Sequence, residues 1–176
     1  MEFVKALKNA VGIIKLEKKI IRQVAKDKES MNYGILIIVL SGFVTAISMR
    51  KWPLLFVAPI LSLVSSFVSI GFLHILSRVF GGRAKFVELF RVLSHAYVLN
   101  WAYILGFNEI LRMLIGLVVF VWGIAVNFVV IEKVHNLSKA KTVGVLVTAI
   151  LISMFLFGLL LVFLLFSKVL SPSKFI

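Results

Sequence analysis

The chain has 176 residues, of which 61% are apolar, and a net charge of +13 from 20 Lys and Arg against 7 Asp and Glu. A soluble domain is about 45–50% apolar even when glycine is counted, so this composition excludes an ordinary water-soluble protein and indicates the bilayer as solvent. The absence of cysteine excludes disulfides, thiol nucleophiles and Cys-based metal sites. Most cations lie between apolar runs, which indicates membrane topology and anionic lipid headgroups as partners, with no nucleic acid.

Residues 1–30 predict a basic amphipathic helix. Its apolar positions recur at helical spacing as Phe3, Leu7, Val11 and Ile14, and the stripe continues through Ile13, Leu16, Ile20 and Val24. Eight Lys or Arg and four acidic residues occupy the other faces. Such a helix lies on a membrane surface or packs against the cytoplasmic loops of its own protein, and the sequence is compatible with both.

Five apolar runs follow, each near the roughly 20 residues that cross the hydrocarbon core as a helix. We therefore predict an all-α integral membrane protein in which residues 31–176 form a five-helix membrane domain. The predicted spans are about 32–49, 54–77, 86–107, 110–131 and 142–167. The alternative is a four-span protein in which residues 86–107 form a surface hairpin.

The distribution of Lys and Arg predicts the orientation. Eight lie in the N-terminal segment, four in residues 77–91 and three in residues 132–141, all on one side of a five-span chain. The other side has five, namely Arg50, Lys51, Arg112, Lys168 and Lys174. The positive-inside rule places the N-terminus in the cytoplasm and the C-terminus outside.

Residues that favour turns occupy the ends of the predicted spans. Pro53 suits the first turn of the second helix, where its missing N–H has no cost. Gly81 and Gly82 end the second span and allow a turn, and Asn108 is a candidate N-cap of the fourth.

Polar side chains concentrate between the second and third spans. His74 and Arg78 share one helix face, and Glu88 and His95 form a stripe on the next helix with Arg91 beside it. If the two helices are antiparallel neighbours, these side chains converge and bind a lipid headgroup phosphate, relay protons or fix the packing. The spacing of Glu88 and Arg91 also allows a local ion pair. The candidate lipid- or partner-binding cluster is His74, Arg78, Gly81, Gly82, Arg83, Glu88, Arg91 and His95.

Catalytic chemistry is not predicted for this chain. The glycine pair lacks the additional glycines and the strand-to-helix context of a nucleotide loop. Asp27 is the single aspartate, and the three histidines are scattered along the sequence. No nucleophile, base and oxyanion donors assemble. We therefore expect no enzyme activity, no metal site and no cofactor.

Two stretches carry a resemblance to a known family. They are HILSRVFGGRAKFVELFRVLSHAY at residues 74–97 and VWGIAVNFVVIEKVHNLSKAKTVGVLVTAI at residues 121–150. With their order of spans they resemble the Yip domain family of Ypt-interacting multispan membrane proteins, over about residues 30–170. The second stretch matches the family at Trp122, His135, Ser138, Lys139 and Ala140, and its loop candidates are Glu132, His135 and Lys139.

The resemblance implies five spans with a cytoplasmic N-terminus and a role in membrane trafficking. The acidic-Leu-Tyr-Gly-Pro motif of eukaryotic members is absent, and a basic segment stands in its place. The chain is therefore similar to prokaryotic members, archaeal ones among them, and Rab GTPase binding is not implied.

The predicted function is that of a non-enzymatic membrane organiser or adaptor. It acts through anionic lipid headgroups, a protein partner or a second copy, as a multi-pass protein of the cell membrane. The alternative is a small oligomeric channel or carrier that uses the polar cluster between spans two and three. A dry cluster whose polar groups are all paired favours the organiser, and a hydrated cavity that reaches His95 and Asn100 favours transport.

Overall fold

A computed structural model describes residues 2–169; Met1 and residues 170–176, which include Lys174 and the C-terminus, lie outside the described residues. The described residues form α1 (Glu2–Ile14), α2 (Lys18–Lys26), α3 (Ser30–Ser48), α4 (Ala58–Val79), α5 (Phe86–Ala96), α6 (Glu109–His135) and α7 (Lys139–Val169). Two segments are 3₁₀ helices, at Trp52–Leu55 and Tyr97–Leu105. Among residues 2–169, four helices are long and apolar enough to cross a membrane: α3, α4, α6 and α7.

The basic N-terminal segment forms two helices where the sequence predicted one. Leu16 adopts a left-handed conformation with a φ of 63°, which ends α1 and reverses the chain into α2. Ile13, Ile21 and Val24 are fully buried, and α2 packs on α5 and α6. The resulting α1–α2 hairpin, residues 2–26, is therefore packed against the protein itself, which is one of the two arrangements that the sequence allowed.

Residues 86–107 are not the single α-helix that was predicted. The α-helix ends at Ala96, and the chain continues as a 3₁₀ helix from Tyr97 to Leu105. A 3₁₀ helix rises about 2.0 Å per residue against 1.5 Å in an α-helix, so the two together extend over about 34 Å. The segment is therefore as long as a membrane span despite its mixed secondary structure.

This mixed segment runs parallel to α3. Near the start of α3, Gly34 contacts Ser94 so closely that a Cβ at position 34 would overlap the serine hydroxyl. Beyond the end of α3, Arg50 Nη2 donates to the carbonyl oxygen of Phe107 at 3.3 Å. Residues 94–107 therefore cover the same length as residues 34–50, and they do not fold back as a hairpin.

The helix ends agree with the sequence at one cap and differ at another. Asn108 caps α6 as predicted, because its Oδ1 accepts the Leu111 N–H at 2.8 Å. In contrast, α4 begins at Ala58 with Pro59 in its first turn, and Pro53 lies in the preceding 3₁₀ helix. A Cβ at Gly42 would lie 2.5 Å from Pro59 Cα, so α3 and α4 approach in backbone contact there.

The buried core lies at one end of the bundle, where the α1–α2 hairpin covers α5 and α6. Its fully buried apolar side chains include Ile13, Ile21, Val24, Leu89, Phe90, Val92, Val130, Ile131 and Val145. Beyond Ala149, most of the large apolar side chains of α7 are exposed, such as Phe155 and Phe163. Lipid chains suit that surface, whereas the packed end provides a rigid support for polar groups.

Candidate functional site

The two turns at the packed end dock on each other. The first turn, residues 80–85, joins α4 to α5, and the second, residues 136–138, joins α6 to α7. The Gly82 N–H donates to the Ser77 carbonyl oxygen at 2.7 Å, and the Arg83 N–H donates to the His135 carbonyl oxygen at 3.3 Å. We refer to residues 80–85 and 136–138 as the paired turns. They bring together the two stretches that resemble a known family.

His135 fills the space beneath the first turn. It is fully buried at the last residue of α6, and Asn136 then ends the helix in a left-handed conformation with a φ of 54°. A Cβ on Gly82 would lie 2.5 Å from His135 Nδ1, so only glycine fits over the ring without displacement. Neither ring nitrogen of His135 has a hydrogen-bond partner within residues 2–169.

His74 is a neighbour of His135. Their ring centroids lie 5.2 Å apart, and the Phe86 ring meets His74 edge-on at 5.8 Å. The sequence suggested that His74 converges with His95, and the structure corrects this grouping. The neighbour of His74 comes from α6, because α4 and α6 both reach the paired turns.

Exposed cations surround the paired turns. Arg78 Nη1 donates to the Gly82 carbonyl oxygen at 3.2 Å, and Lys141 Nζ would lie 3.4 Å from a Cβ on Gly81. Arg83, Lys85 and Lys139 are also exposed. Lys141 was not among the sequence candidates, although its position in the second resembling stretch was a usable signal. The arrangement is chemically suited to binding anionic oxygens at the surface of a bilayer.

Glu88 and Arg91 do not form the predicted ion pair. Glu88 Oε2 accepts the Lys85 N–H at 2.7 Å and so caps the start of α5. Arg91 Nη1 instead donates to the Ala25 carbonyl oxygen at 3.1 Å. Arg91 therefore fastens the end of α2 to α5, a contact between distant segments that a local pattern does not reveal.

His95 belongs to the contact between α3 and α5. It is fully buried, and its Nδ1 lies 2.7 Å from the Arg91 carbonyl oxygen. A Cβ at Gly34 would lie 3.3 Å from the same nitrogen. Within the described residues, His95 Nε2 has no hydrogen-bond partner. The predicted cluster is thus divided between the paired turns and the α3–α5 contact.

The remaining candidates lie at the ends of α6 and α7. Glu132 pairs with the adjacent Lys133 at 2.7 Å, and Lys139 is exposed at the first residue of α7. In residues 2–169, no group of three or more His, Cys, Asp or Glu side chains is placed to hold a metal ion.

Trp122 is a further positioning residue, which the sequence marked only as part of a resembling stretch. Its Nε1 donates to the Ile14 carbonyl oxygen at 2.8 Å and so holds the end of α1 against α6.

Comparison with known proteins identifies one family. The family model of the Yip1 domain matches residues 14–162, which include the hairpin turn, the paired turns and all the long apolar helices for most of their length. No curated protein and no solved structure matches the chain significantly.

Proposed function

Because the chain belongs to the Yip1 domain family, we propose that it is a non-enzymatic membrane organiser or adaptor that acts through contacts with lipids and partner proteins. It is an integral, multi-pass membrane protein, and its residues 2–169 contain four long apolar helices. The observation that carries the proposal is the docking of Arg83 on His135, which joins two turns into one cation-flanked surface. A cation-flanked surface on a packed core suits stable binding of a lipid or a protein partner better than catalytic turnover of a substrate.

The proposal includes a topology in which residues 86–105 form a fifth crossing. The contact of Arg83 with His135 marks one end of the bundle, and that of Arg50 with Phe107 marks the other. The segment between them extends over about 34 Å, against about 30 Å for the hydrocarbon core. The excess of cations places the paired turns and the α1–α2 hairpin in the cytoplasm and the Phe107 end outside.

Anionic lipid is the first partner that this surface suits. Arg78, Arg83, Lys85 and Lys141 are exposed around the paired turns, and each cation near an anionic leaflet contributes about 1 kcal/mol. The backbone hydrogen bond from Arg83 to His135 holds the two turns together and so keeps these cations on one surface. The surface thus attracts phosphate headgroups without requiring a closed pocket.

The lipid contact is tested by thermal unfolding in nanodiscs of phosphatidylcholine and of phosphatidylglycerol. We expect the anionic lipid to raise the melting temperature of the wild type. The double variant Arg83→Gln and Lys85→Gln should lose most of that gain and keep its melting temperature in phosphatidylcholine. The matched double variant Arg50→Gln and Lys51→Gln, at the opposite end, should keep most of the gain. An equal loss in both variants would contradict a specific role for the paired turns.

One observation favours the alternative of a small channel or carrier. The ring nitrogens of His135 and Nε2 of His95 have no hydrogen-bond partner within residues 2–169, so these imidazoles are not committed to holding the fold together through those atoms. Against transport, both side chains are fully buried. Proton, ion and lipid flux in proteoliposomes separates the two functions. The organiser predicts flux equal to that of protein-free vesicles, and flux that is lost in His95→Ala would establish transport.

A further inference from the structure

A cleft in the surface of the bundle is a candidate binding site that the proposed function does not use. It lies between α4 and α6, has a volume of about 330 Å³, and includes the end of α5 and the start of the 3₁₀ helix in its walls. Binding sites for small molecules occupy about 300–1,000 Å³ and are mostly apolar with a few polar groups. The cleft is at the lower end of that range and is separate from the paired turns.

The polar side chains of the cleft are two amides and two hydroxyls. They come from three segments, as Ser69 of α4, Tyr97 and Asn100 of the 3₁₀ helix and Asn127 of α6. Asn127 Nδ2 donates to the Gly123 carbonyl oxygen at 2.8 Å, and its Oδ1 is the group of this amide that can accept a hydrogen bond from a ligand. Within residues 2–169, no Asp, Glu, Lys, Arg or His lines the cleft. The lining therefore recognises an uncharged hydrogen-bonding group attached to an apolar body.

The depth of Asn100 also favours an uncharged ligand. The neighbouring Trp101 donates from Nε1 to Ser41 Oγ at 3.0 Å, and Ser41 lies near the middle of α3. An amide that faces hydrocarbon without a partner loses free energy, so a ligand with a hydroxyl or carbonyl group is favoured there. A phosphate at this depth would require a compensating cation, and the described part of the chain supplies none to the cleft.

One wall of the cleft, next to Asn100, has an unusual backbone conformation. Tyr97, Leu99 and Asn100 belong to the nine-residue 3₁₀ helix, whereas 3₁₀ runs longer than three or four residues are uncommon and often mark functional positions. Phe120, on the opposite wall, is 63% exposed, so the cleft is accessible from the lipid side. Two independent features, the lining and the backbone, therefore coincide.

We propose that this cleft binds a neutral lipid whose acyl chain lies between α4 and α6 and whose hydroxyl or ester group hydrogen-bonds to Asn100 and Asn127. Diacylglycerol has this chemistry. The site stands independently of the cation-flanked surface, since it uses other residues and another class of lipid.

The test uses the full chain in phosphatidylcholine vesicles with a photoreactive diacylglycerol, and in parallel with a photoreactive phosphatidylglycerol. A Cβ built on Gly123 or on Gly158 meets no atom within 4 Å, but Gly123 lines the cleft and Gly158 lies on the exposed part of α7. Gly123→Phe therefore fills the cleft, and Gly158→Phe is the matched control. Asn100→Leu removes one hydrogen-bonding group, and thermal unfolding checks that each variant is folded.

We expect diacylglycerol to label peptides of the 3₁₀ helix and α6 in the wild type and in Gly158→Phe. Labelling should fall to background in Gly123→Phe and by about fivefold in Asn100→Leu, the loss that one hydrogen bond of about 1 kcal/mol produces. Equal labelling of the same peptides by phosphatidylglycerol would overturn the assignment to neutral lipid. Labelling that persists in Gly123→Phe, or cross-links through the cleft to a second copy, would overturn the site.

Discussion

Trp122 and Ile14 are joined by a hydrogen bond of 2.8 Å between the indole Nε1 and the backbone carbonyl oxygen. Through this contact, a residue in the middle of α6 holds the end of the first helix. A second hydrogen bond, from Arg91 to the Ala25 carbonyl oxygen, holds the end of α2, so each helix of the α1–α2 hairpin is fixed near its C-terminal end. The basic segment is thus attached to the same core that supports the paired turns.

We expect Trp122→Phe to loosen the hairpin and to leave the rest of the fold intact. The substitution keeps an aromatic ring and removes the N–H donor, at a cost of about 1 kcal/mol. Amide hydrogen exchange in residues 2–14 should therefore become about fivefold faster. Trp52→Phe is the control, since Trp52 is 66% exposed at the other end of the bundle. Equal exchange in the two variants would contradict the anchoring role.

Gly82→Ala should separate the paired turns. The added methyl would lie 2.5 Å from His135 Nδ1 and 2.7 Å from the Ser77 carbonyl oxygen, an overpacking that costs about 1–3 kcal/mol. Thermal unfolding measures this loss. The double variant with His135→Ala should lose less than the sum of the two single variants, because the ring is then absent.

Gly158→Ala is the matched control for this experiment. Its methyl meets no atom within 4 Å, and alanine is favoured over glycine within a helix by about 0.5–1 kcal/mol. The control should therefore unfold at the same temperature as the wild type or slightly higher. A Gly82→Ala variant that behaves like this control would show that the turns do not require the close contact.

The contact between α3 and α5 gives a second packing prediction. Gly34→Ala would place a methyl against Oγ and Cβ of Ser94, and we expect it to lower the melting temperature. The double variant Gly34→Ala and Ser94→Gly has the larger side chain on α3 and the glycine on α5. It should recover part of the lost melting temperature. Gly123→Ala, in the open cleft, should have little effect. Failure of the exchange to recover any stability would contradict the parallel packing of these segments.

The long helices were predictable from sequence because their signal is local. Runs of apolar residues located α3, α4, α6 and α7 to within about four residues at each end. The Asn108 cap and the glycine turn at Gly81 were also predictable, since both depend on the preferences of single residues.

The 3₁₀ helix was not predictable because distant contacts accompany it. The single proton of the Ser41 hydroxyl is shared between the carbonyl oxygens of Ile37 at 2.8 Å and Tyr97 at 2.9 Å, and the hydroxyl oxygen accepts from Trp101 Nε1 at 3.0 Å. Tyr97 and Trp101 lie 56 and 60 residues after Ser41 in the sequence. The apolar pattern of residues 97–105 fits an α-helix equally well, so periodicity alone gave the wrong secondary structure.

The grouping of the histidines was also not predictable, because it too depends on contacts between distant parts of the chain. Sequence spacing placed His74 and Arg78 on one face, but it contained no information about which helix lies opposite. The structure brings His135 of α6 to that face and leaves His95 of α5 packed against α3. A single sequence gives the faces of helices, whereas the neighbours of those faces depend on tertiary packing.

In the proposed topology, the paired turns and the α1–α2 hairpin share one side of the membrane, and Phe107 lies on the other side. Since the chain has no cysteine, single substitutions can be labelled from either side without background. The exposed positions Lys8→Cys, Arg83→Cys, Ser138→Cys, Lys51→Cys and Phe107→Cys serve as reporters.

The decisive measurement is labelling of these variants by a membrane-impermeant maleimide in right-side-out and inside-out vesicles. We expect residues 8, 83 and 138 to react only in inside-out vesicles, and residues 51 and 107 only in right-side-out vesicles. Reaction of positions 83 and 107 from the same side would show that residues 86–105 do not cross, and it would contradict the five-crossing architecture.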